Sequence, residues 1–351
     1  MVKLEDILDV NNLNEMRRDG YIRQAKHPSL PLVSECYTKQ TMFEKKWNNE
    51  TRICRGLIWN TETLEVVARP FAKFFNWGEP SCPHIEPDEW VKVWNKLDGS
   101  LGIIYNTPDG PAVATKNSFT SPQAVHATEV LRTRYSHYRT VDMFTTLVEI
   151  VYPENRIVLD YGETDDLFYL CDVRKDDGFT STFGNASVFQ QPKLLGTGRF
   201  LEMADHFIDL HRANSEGVVI HAVNSDIRVK MKQKDYLELH KVCTGLNKKA
   251  LWTMLSEGQG ISEILSDLPE ELHDWAFPIL QDICHKYTEL DLYVAEQWML
   301  IEHMGLNTDR KKLSEVMSQF PSWLSYALWF QFDGDYDRYN RFLWKQVKPS
   351  G

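Results

Sequence analysis

Over the first 240 residues, short apolar runs recur at 91–94, 101–105, 112–115, 146–151, 156–161, 167–173, 218–223 and 227–231. They are rich in Val, Ile, Tyr and Phe, and turn formers such as Asp98-Gly99 and Pro108-Asp109-Gly110 separate them, which predicts strands. Strands this dense imply a largely antiparallel sheet system, with helices near 4–18, 121–134 and 233–244. The texture changes near residue 240. Segments near 248–256, 271–285, 287–304, 309–319 and 335–346 carry apolar residues at three- and four-residue spacing, with Asp, Ser or Pro near several starts. Leu290, Val294, Trp298 and Ile301 read as one buried helix face. The pattern therefore predicts an α+β unit over 1–244 and an all-α unit over 245–351.

Composition narrows the class without naming a function. The chain has 351 residues, 42% hydrophobic and 25% charged, which is ordinary for a globular protein and long enough for two domains. The formal charge of −11 is the wrong sign for a chain that coats nucleic acid uniformly, although an acidic whole can carry a basic cleft. Six cysteines, at 36, 54, 82, 171, 243 and 284, show no C-x-x-C pair and no zinc-knuckle spacing and read as reduced and mostly buried. The N-terminal residues lack an apolar signal core, and no apolar run reaches membrane-spanning length. These features predict a soluble cytoplasmic protein. No extended apolar stripe asks for a partner copy, so a monomer is expected.

Candidate chemistry begins at Trp94-Asn95-Lys96-Leu97-Asp98-Gly99-Ser100-Leu101-Gly102. A lysine leaves one strand, Asp-Gly turns the chain as in a hairpin, and a second apolar strand follows. Lys96 is thereby placed at the mouth of a sheet, where its neutral amine can attack phosphorus or carbonyl carbon. Alone, Lys-x-Asp-Gly is weak, since average usage produces it in about one chain in ten of this length. The bland reading is a solvated lysine beside a turn. The companions change that balance. Glu149 interrupts the apolar run Leu147-Val148-Glu149-Ile150-Val151, and Glu216 opens Glu216-Gly217-Val218-Val219-Ile220. Lys230 and Lys232 alternate in one strand and share a face. Arg55 and Lys73 lie upstream, and Lys116 follows the 112–115 strand. Singly, each is more often a surface charge or salt-bridge partner. Together they supply an amine, carboxylates for a divalent metal and a ribose, and cations for a triphosphate.

In that order, Lys-x-Asp-Gly, a strand Glu, Glu-Gly-Val-Val and Lys-x-Lys resemble the covalent nucleotidyltransferases, which include DNA ligases, RNA ligases and capping enzymes. Cys54-Arg55-Gly56, Ala68-Arg69-Pro70-Phe71-Ala72-Lys73-Phe74-Phe75-Asn76 and Pro153-Glu154-Asn155-Arg156-Ile157-Val158 resemble the RNA ligase 1 family of T-even bacteriophages. The likeness spans about residues 35–240. It implies an antiparallel-sheet, ATP-grasp-like adenylation domain followed by an all-α domain.

The resemblance implies an ATP-dependent RNA ligase. Lys96 would take AMP from ATP as a phosphoramidate and pass it to an RNA 5′-phosphate, and a 3′-hydroxyl would then seal the strand. Glu149 is implied as the ribose contact and Glu216 as the acid serving Mg²⁺ or Mn²⁺. Lys230 and Lys232 are implied as α-phosphate cations. Arg55, Lys73 and Lys116 would hold phosphates or the surrounding network, Gly99 and Gly217 would permit close backbone approach, and Val218 would pack on adenine. A DNA ligase or capping enzyme would carry an oligonucleotide-binding barrel where this chain carries helices. A binding module that has lost its chemistry would not need every acid and base in order. Family members repair tRNA anticodon breaks, so nicked tRNA or single-stranded RNA ends are the expected substrates. Lys311, Lys312, Arg338 and Arg341 are candidate backbone contacts on the helical unit.

Other features read as structural. These are Leu167-Phe168-Tyr169-Leu170 as core, His126, His221 and His240 as satisfied histidines, and Glu163, Asp165 and Asp166 as a solvated loop. Trp323, Trp329, Phe330, Phe332 and Trp344 read as helical core.

Overall fold

A computed structural model describes residues 1–155, 158–181, 185–208, 212, 214–234, 236, 245–268 and 272–349. The chain divides into two compact units, Met1–His240 and Lys241–Gly351.

Three sheets build the first unit. One holds β1 (Ile22–Lys26), β2 (Leu32–Tyr37), β3 (Arg55–Asn60) and β4 (Val66–Ala68), antiparallel and in that order. Helices α1 (Leu4–Ile7), α2 (Val10–Arg18) and α4 (Asn49–Ile53) pack Leu4, Leu13, Met16 and Ile53 against Leu57 and Trp59. A short α3 (Lys39–Phe43) links β2 to this layer. Asp9 starts α2 by accepting the Asn11 and Asn12 amides, and Arg17 and Arg18 close it, both favourable to the helix dipole and its unpaired ends.

The second sheet has the order β11-β10-β9-β7-β8, from β7 (Ser100–Thr107), β8 (Gly110–Thr115), β9 (Phe144–Val151), β10 (Asp166–Arg174) and β11 (Thr180–Ser181). Helix α5 (Pro122–Thr133), capped by Ser121 with Pro122 in its first turn, covers one face through Ala127, Val130 and Leu131. The other face packs Ile103 and Leu147 toward Ile58 and Ala68 of the first sheet.

The third sheet has the order β12-β6-β13-β14-β5, from β5 (Phe75–Asn76), β6 (Trp90–Lys96), β12 (Leu194–Arg199), β13 (Gly217–Ala222) and β14 (Arg228–Lys232). Helix α6 (Phe200–Ile208) covers one face, where Phe200 and Phe207 meet Val91, Val93, Val218, Ile220 and Val229. Strand pleating sends Lys96, Val219, Lys230 and Lys232 to the opposite face.

The second unit is helical in its described residues: α7 (Lys248–Ser256), α8 (Ile261–Asp267), α9 (His273–His303), α10 (Arg310–Met317), α11 (Ser322–Asp333) and α12 (Tyr336–Gln346). Val294 and Ile301 are buried, with Leu290 and Trp298 partly buried in the same cluster. Trp323, Trp329, Phe330 and Phe332 pack against that cluster, and Trp344 stacks on Tyr287 at 4.3 Å.

Three differences from the sequence pattern have physical causes. Segments 271–285 and 287–304 form one helix, because the three- and four-residue apolar spacing continues from Leu280 through Ile283 and Tyr287 to Leu290. Helix α11 escapes periodicity because Trp323, Leu324, Tyr326, Ala327, Leu328, Trp329 and Phe330 leave it apolar on most sides. Residues 158–161 are not a strand: the Val158 and Leu159 amides donate to the Asp98 carboxylate instead of a ladder. Residues 156 and 157, most of the helix expected at 233–244, and His240 lie outside the described residues. Among the described residues, no helix is long and apolar enough to cross a membrane.

Candidate active site

Lys96 ends β6, and the next three residues carry the chain out of the third sheet into the second. The expected hairpin is therefore replaced by a crossover, since β6 pairs with β12 and β13 while β7 pairs with β8 and β9. Asp98 explains the change. Its carboxylate accepts the Val158 and Leu159 amides at 3.0 Å and the Tyr236 hydroxyl at 2.9 Å, and its own amide donates to the Tyr161 hydroxyl at 2.8 Å. Gly99 then passes so close to β9 that a Cβ would lie 2.4 Å from the Ile150 carbonyl oxygen, which only glycine tolerates. The Gly99 amide donates to Glu149 Oε1 at 3.2 Å.

Strand register assembles the charged cluster. Gly217 lies opposite Lys96 on one neighbour and Lys232 on the other. Its φ is +151°, and a Cβ would sit 2.1 Å from the Met231 carbonyl oxygen. The bend at Gly217 lets Glu216 depart from the simple alternation and come to rest between two ammonium groups. Lys96 Nζ donates to Glu216 Oε2 at 2.7 Å, and Lys232 Nζ lies 3.0 Å from Oε1. The Glu216 side chain is 3% exposed. Burial alone would raise its carboxyl, but Lys96 and Lys232 outweigh that and hold it below the usual carboxylate range. Arg212 braces the assembly by donating to Asn95 Oδ1 at 2.9 Å and the Gly217 carbonyl at 2.7 Å.

Glu149 stands across the cleft on β9, opposite Leu101 and Phe168. Burial pushes its carboxyl up to about 7; Glu216 adds to this, while Lys96 and Arg55 oppose it. The native state then holds a proton that an unfolded carboxyl with pKa 4.5 releases. Glu149 thus contributes stability that is complete below about pH 4.5 and lost as pH rises through about 7. Relative to Glu149→Gln, the parent chain is expected to lose on the order of 3 kcal/mol across that window. Urea unfolding of both proteins at several pH values checks this, and a pH-independent difference would remove the assignment.

The site residues named from sequence are thus placed unevenly. Lys96, Gly99, Glu149, Glu216 and Lys232 come together in one charged cluster. Lys230 lies opposite Val219 and Asn76 on the same strand face as Lys232. Arg55 acts electrostatically on Glu149, with its guanidinium 5.0 Å over Phe71. Lys73 and Lys116 lie against rings, Lys73 at 5.2 Å from Trp47 and Lys116 at 5.0 Å from Tyr37. Val218 is a correction. It is buried under α6 with Ile220 and Met231, and pleating makes Val219 the valine that shares the face of Lys96 and Lys230. Sequence reasoning also missed Tyr161, Tyr236 and Arg212; none stands in a spacing pattern, and each acts through a long-range hydrogen bond.

The structural readings of the remaining residues need one amendment. His221 is satisfied by Asp226 at 2.7 Å, and His126 by Asp165 at 2.8 Å while stacked on Tyr152. The run 163–166 is therefore only partly solvated, since Asp165 holds His126 and Asp166 opens β10. Phe168 is partly exposed on the Glu149 face, whereas Leu167 and Tyr169 are core.

Comparison with known proteins bears directly on this cleft. The model of a family described as RNA ligase, of the T4 RNA ligase 1 type, matches residues 53–237. The chain belongs to this RNA ligase family. The matched span covers more than half of the 351 residues and contains every residue of the Lys96 site. RNA ligase 1 of bacteriophage TS2126 is 29% identical over 162 residues, 42% of this chain and 38% of that protein. A protein of Autographa californica nuclear polyhedrosis virus, provisionally named bifunctional polynucleotide kinase/RNA ligase, is 24% identical over 299 residues, 76% of this chain and 41% of that one. The chain thus spans about two-fifths of the length of these relatives. Among solved structures, an archaeal ATP-dependent RNA ligase is 15% identical, with 78% of this chain and 75% of that one covered at a TM-score of 0.46. Within the RNA ligase family match, Lys96, Glu149, Glu216 and Lys232 are the residues this fold concentrates.

Proposed function

We propose that the chain is an ATP-dependent RNA ligase that works through AMP carried on Lys96. The observation that carries this reading is the Lys96–Glu216–Lys232 bridge with Glu149 within electrostatic reach of Lys96 and Glu216, inside a stretch that matches the RNA ligase family. The first unit serves as the adenylation domain, ATP-grasp-like in its paired sheets.

The bridge fixes the Lys96 amine at the cleft. Once neutral, that amine attacks the α-phosphorus of ATP, an N–P bond forms, and the bond to pyrophosphate breaks. Lys230 and Lys232 stabilise charge on the α-phosphate. Glu149 receives the ribose, and Val219 lies against the adenine. An RNA 5′-phosphate oxygen next displaces Lys96 from phosphorus, and an RNA 3′-hydroxyl then displaces AMP. Among the described residues no group of three or more His, Cys, Asp or Glu is placed to hold a metal ion by itself. The donors fit a hard divalent ion held mainly by water and phosphate oxygens, with Glu216 as the carboxylate. Both Glu216 oxygens hold ammonium groups here, so serving an ion requires Glu216 to release one lysine. When bound, Mg²⁺ or Mn²⁺ supplies charge neutralisation to the polyphosphate.

RNA ends are the substrate class we assign, with nicked tRNA foremost and the helical unit as the region that selects it. Incubation with α-labelled ATP or GTP, then with RNA, nicked tRNA or nicked DNA, tests the whole reading. Label from ATP alone and sealing of RNA over DNA are expected. No label from either nucleotide, in protein first stripped with pyrophosphate, would overturn it.

A further inference from the structure

A line of cations outside the Lys96 cleft rests on aromatic faces. Lys116 Nζ lies 5.0 Å from the Tyr37 ring, and Tyr37 meets Trp47 edge-on at 5.1 Å. Trp47 meets Phe75 at 5.5 Å, and Lys73 Nζ lies within 5.3 Å of both. The next cation is Arg52, in the last turn of α4, its guanidinium carbon 5.8 Å over Phe75. Its carbonyl accepts the Lys73 amide at 2.8 Å, which ties the two positions together. Three residues on, Arg55 lies over Phe71 and Phe74.

Both arginines hold an enclosed N–H group, Arg52 Nε and Arg55 Nη1, with no hydrogen-bond partner among the described residues. An enclosed guanidinium N–H without an acceptor costs free energy, which an added acceptor would relieve. Phe75 lies on β5, hydrogen-bonded to β14, the strand of Lys230 and Lys232. The cation line is therefore joined to the edge of the sheet that faces the nucleotide.

We propose that Arg52 is an additional phosphate-binding residue, taking the pyrophosphate portion of ATP at the far end of the site. The inference rests on the adenylation reading. AMP occupies Lys96, Glu149 and Val219 in that reading, so the outer cations are left to the β- and γ-phosphates. Arg52 is not part of the sequence motifs that point to the family, and its pattern, Glu50-Thr51-Arg52-Ile53, looks like an ordinary helix end.

The experiment separates the two stages. Arg52→Gln and Arg52→Lys are compared with the parent chain for labelling by α-labelled ATP and for sealing of RNA supplied already adenylylated, whose diphosphate bridge joins AMP to the RNA and which has no pyrophosphate leaving group to hold. Arg52→Gln is expected to raise the half-saturating ATP concentration or slow labelling by about tenfold or more, with Arg52→Lys in between. Sealing of adenylylated RNA stays within about twofold, since the pyrophosphate that Arg52 would hold has already left before that step. Equal loss in both assays marks a structural arginine and overturns the proposal, as does no loss in either. Greater loss in sealing assigns the cation to RNA and overturns it too. A parent chain inactive in both assays is a separate failure, that of the adenylation reading.

Discussion

Lys96→Arg, mixed with ATP and a divalent cation, is expected to take up no AMP while keeping its fold. The guanidinium preserves a positive charge opposite Glu216, which the parent lysine contacts at 2.7 Å. The ion pair that seats the side chain is thus retained in kind, and the melting temperature is expected to move by only a few degrees, the equivalent of about 1 kcal/mol. Chemistry does not survive the exchange. A nucleophile needs a free lone pair, and the arginine side chain does not lose its proton in proteins. Loss of the covalent nucleophile costs at least about 10³-fold. Gel detection of label on the denatured chain reads this directly, with Lys96→Ala alongside. Label on the arginine variant would show that another residue carries the AMP. A fully unfolded arginine variant would show that the Lys96–Glu216 pair demands an ammonium rather than a positive charge.

The sequence made the chemistry more legible than the topology around it. Glu149 is visible because a charge inside an apolar strand is costly unless something uses it, and Lys96, Glu216 and Lys232 because they stand in order at strand ends around it. The edge strands were harder to see. In β1, Ile-Arg-Gln-Ala-Lys buries only Ile22, and β12 is Leu-Leu-Gly-Thr-Gly-Arg with little burial. Neither alternates enough to register as half-buried. The crossover at Asp98-Gly99 was misread as a hairpin because the turn signal is local. What opposes hairpin pairing is not local, for the acceptor at Asp98 is claimed by residues sixty positions away and by Tyr236. Val218 shows a similar limit. Choosing between adjacent valines requires knowing which strand face α6 covers, and that follows only from packing. The cation line from Lys116 to Arg52 joins residues from four separate segments, and no window of sequence contains it.

Glu216→Gln is expected to damage both stability and chemistry, and the pH dependence of the damage identifies its cause. The carboxylate lies between Lys96 and Lys232, whose side chains are 22% and 12% exposed. An amide keeps the shape but presents one acceptor and no charge, so one buried ammonium group loses its partner and both lose their counter-charge. Removing one member of a buried ion pair costs about 3–5 kcal/mol, and the upper end needs both lysines to stay charged. The Glu216 carboxyl is held below its ordinary range, so its contribution is present above the unfolded pKa and lost as pH falls through the folded one. The gap between parent and variant in urea unfolding is therefore full at pH 7 and closes in acid, opposite in direction to the Glu149 pair of proteins. AMP uptake falls as well, by about 10²-fold or more, because the amine is no longer held at the cleft and the phosphate cations lose their placement. The two measurements test different links. A stability gap that ignored pH would mean that Glu216 acts by shape alone. A variant as stable as the parent but unable to take up AMP would place Glu216 in the reaction itself. A variant that is less stable but takes up AMP at the parent rate would leave Lys96 positioned by the backbone crossover at Asp98, with Glu216 a structural bridge only.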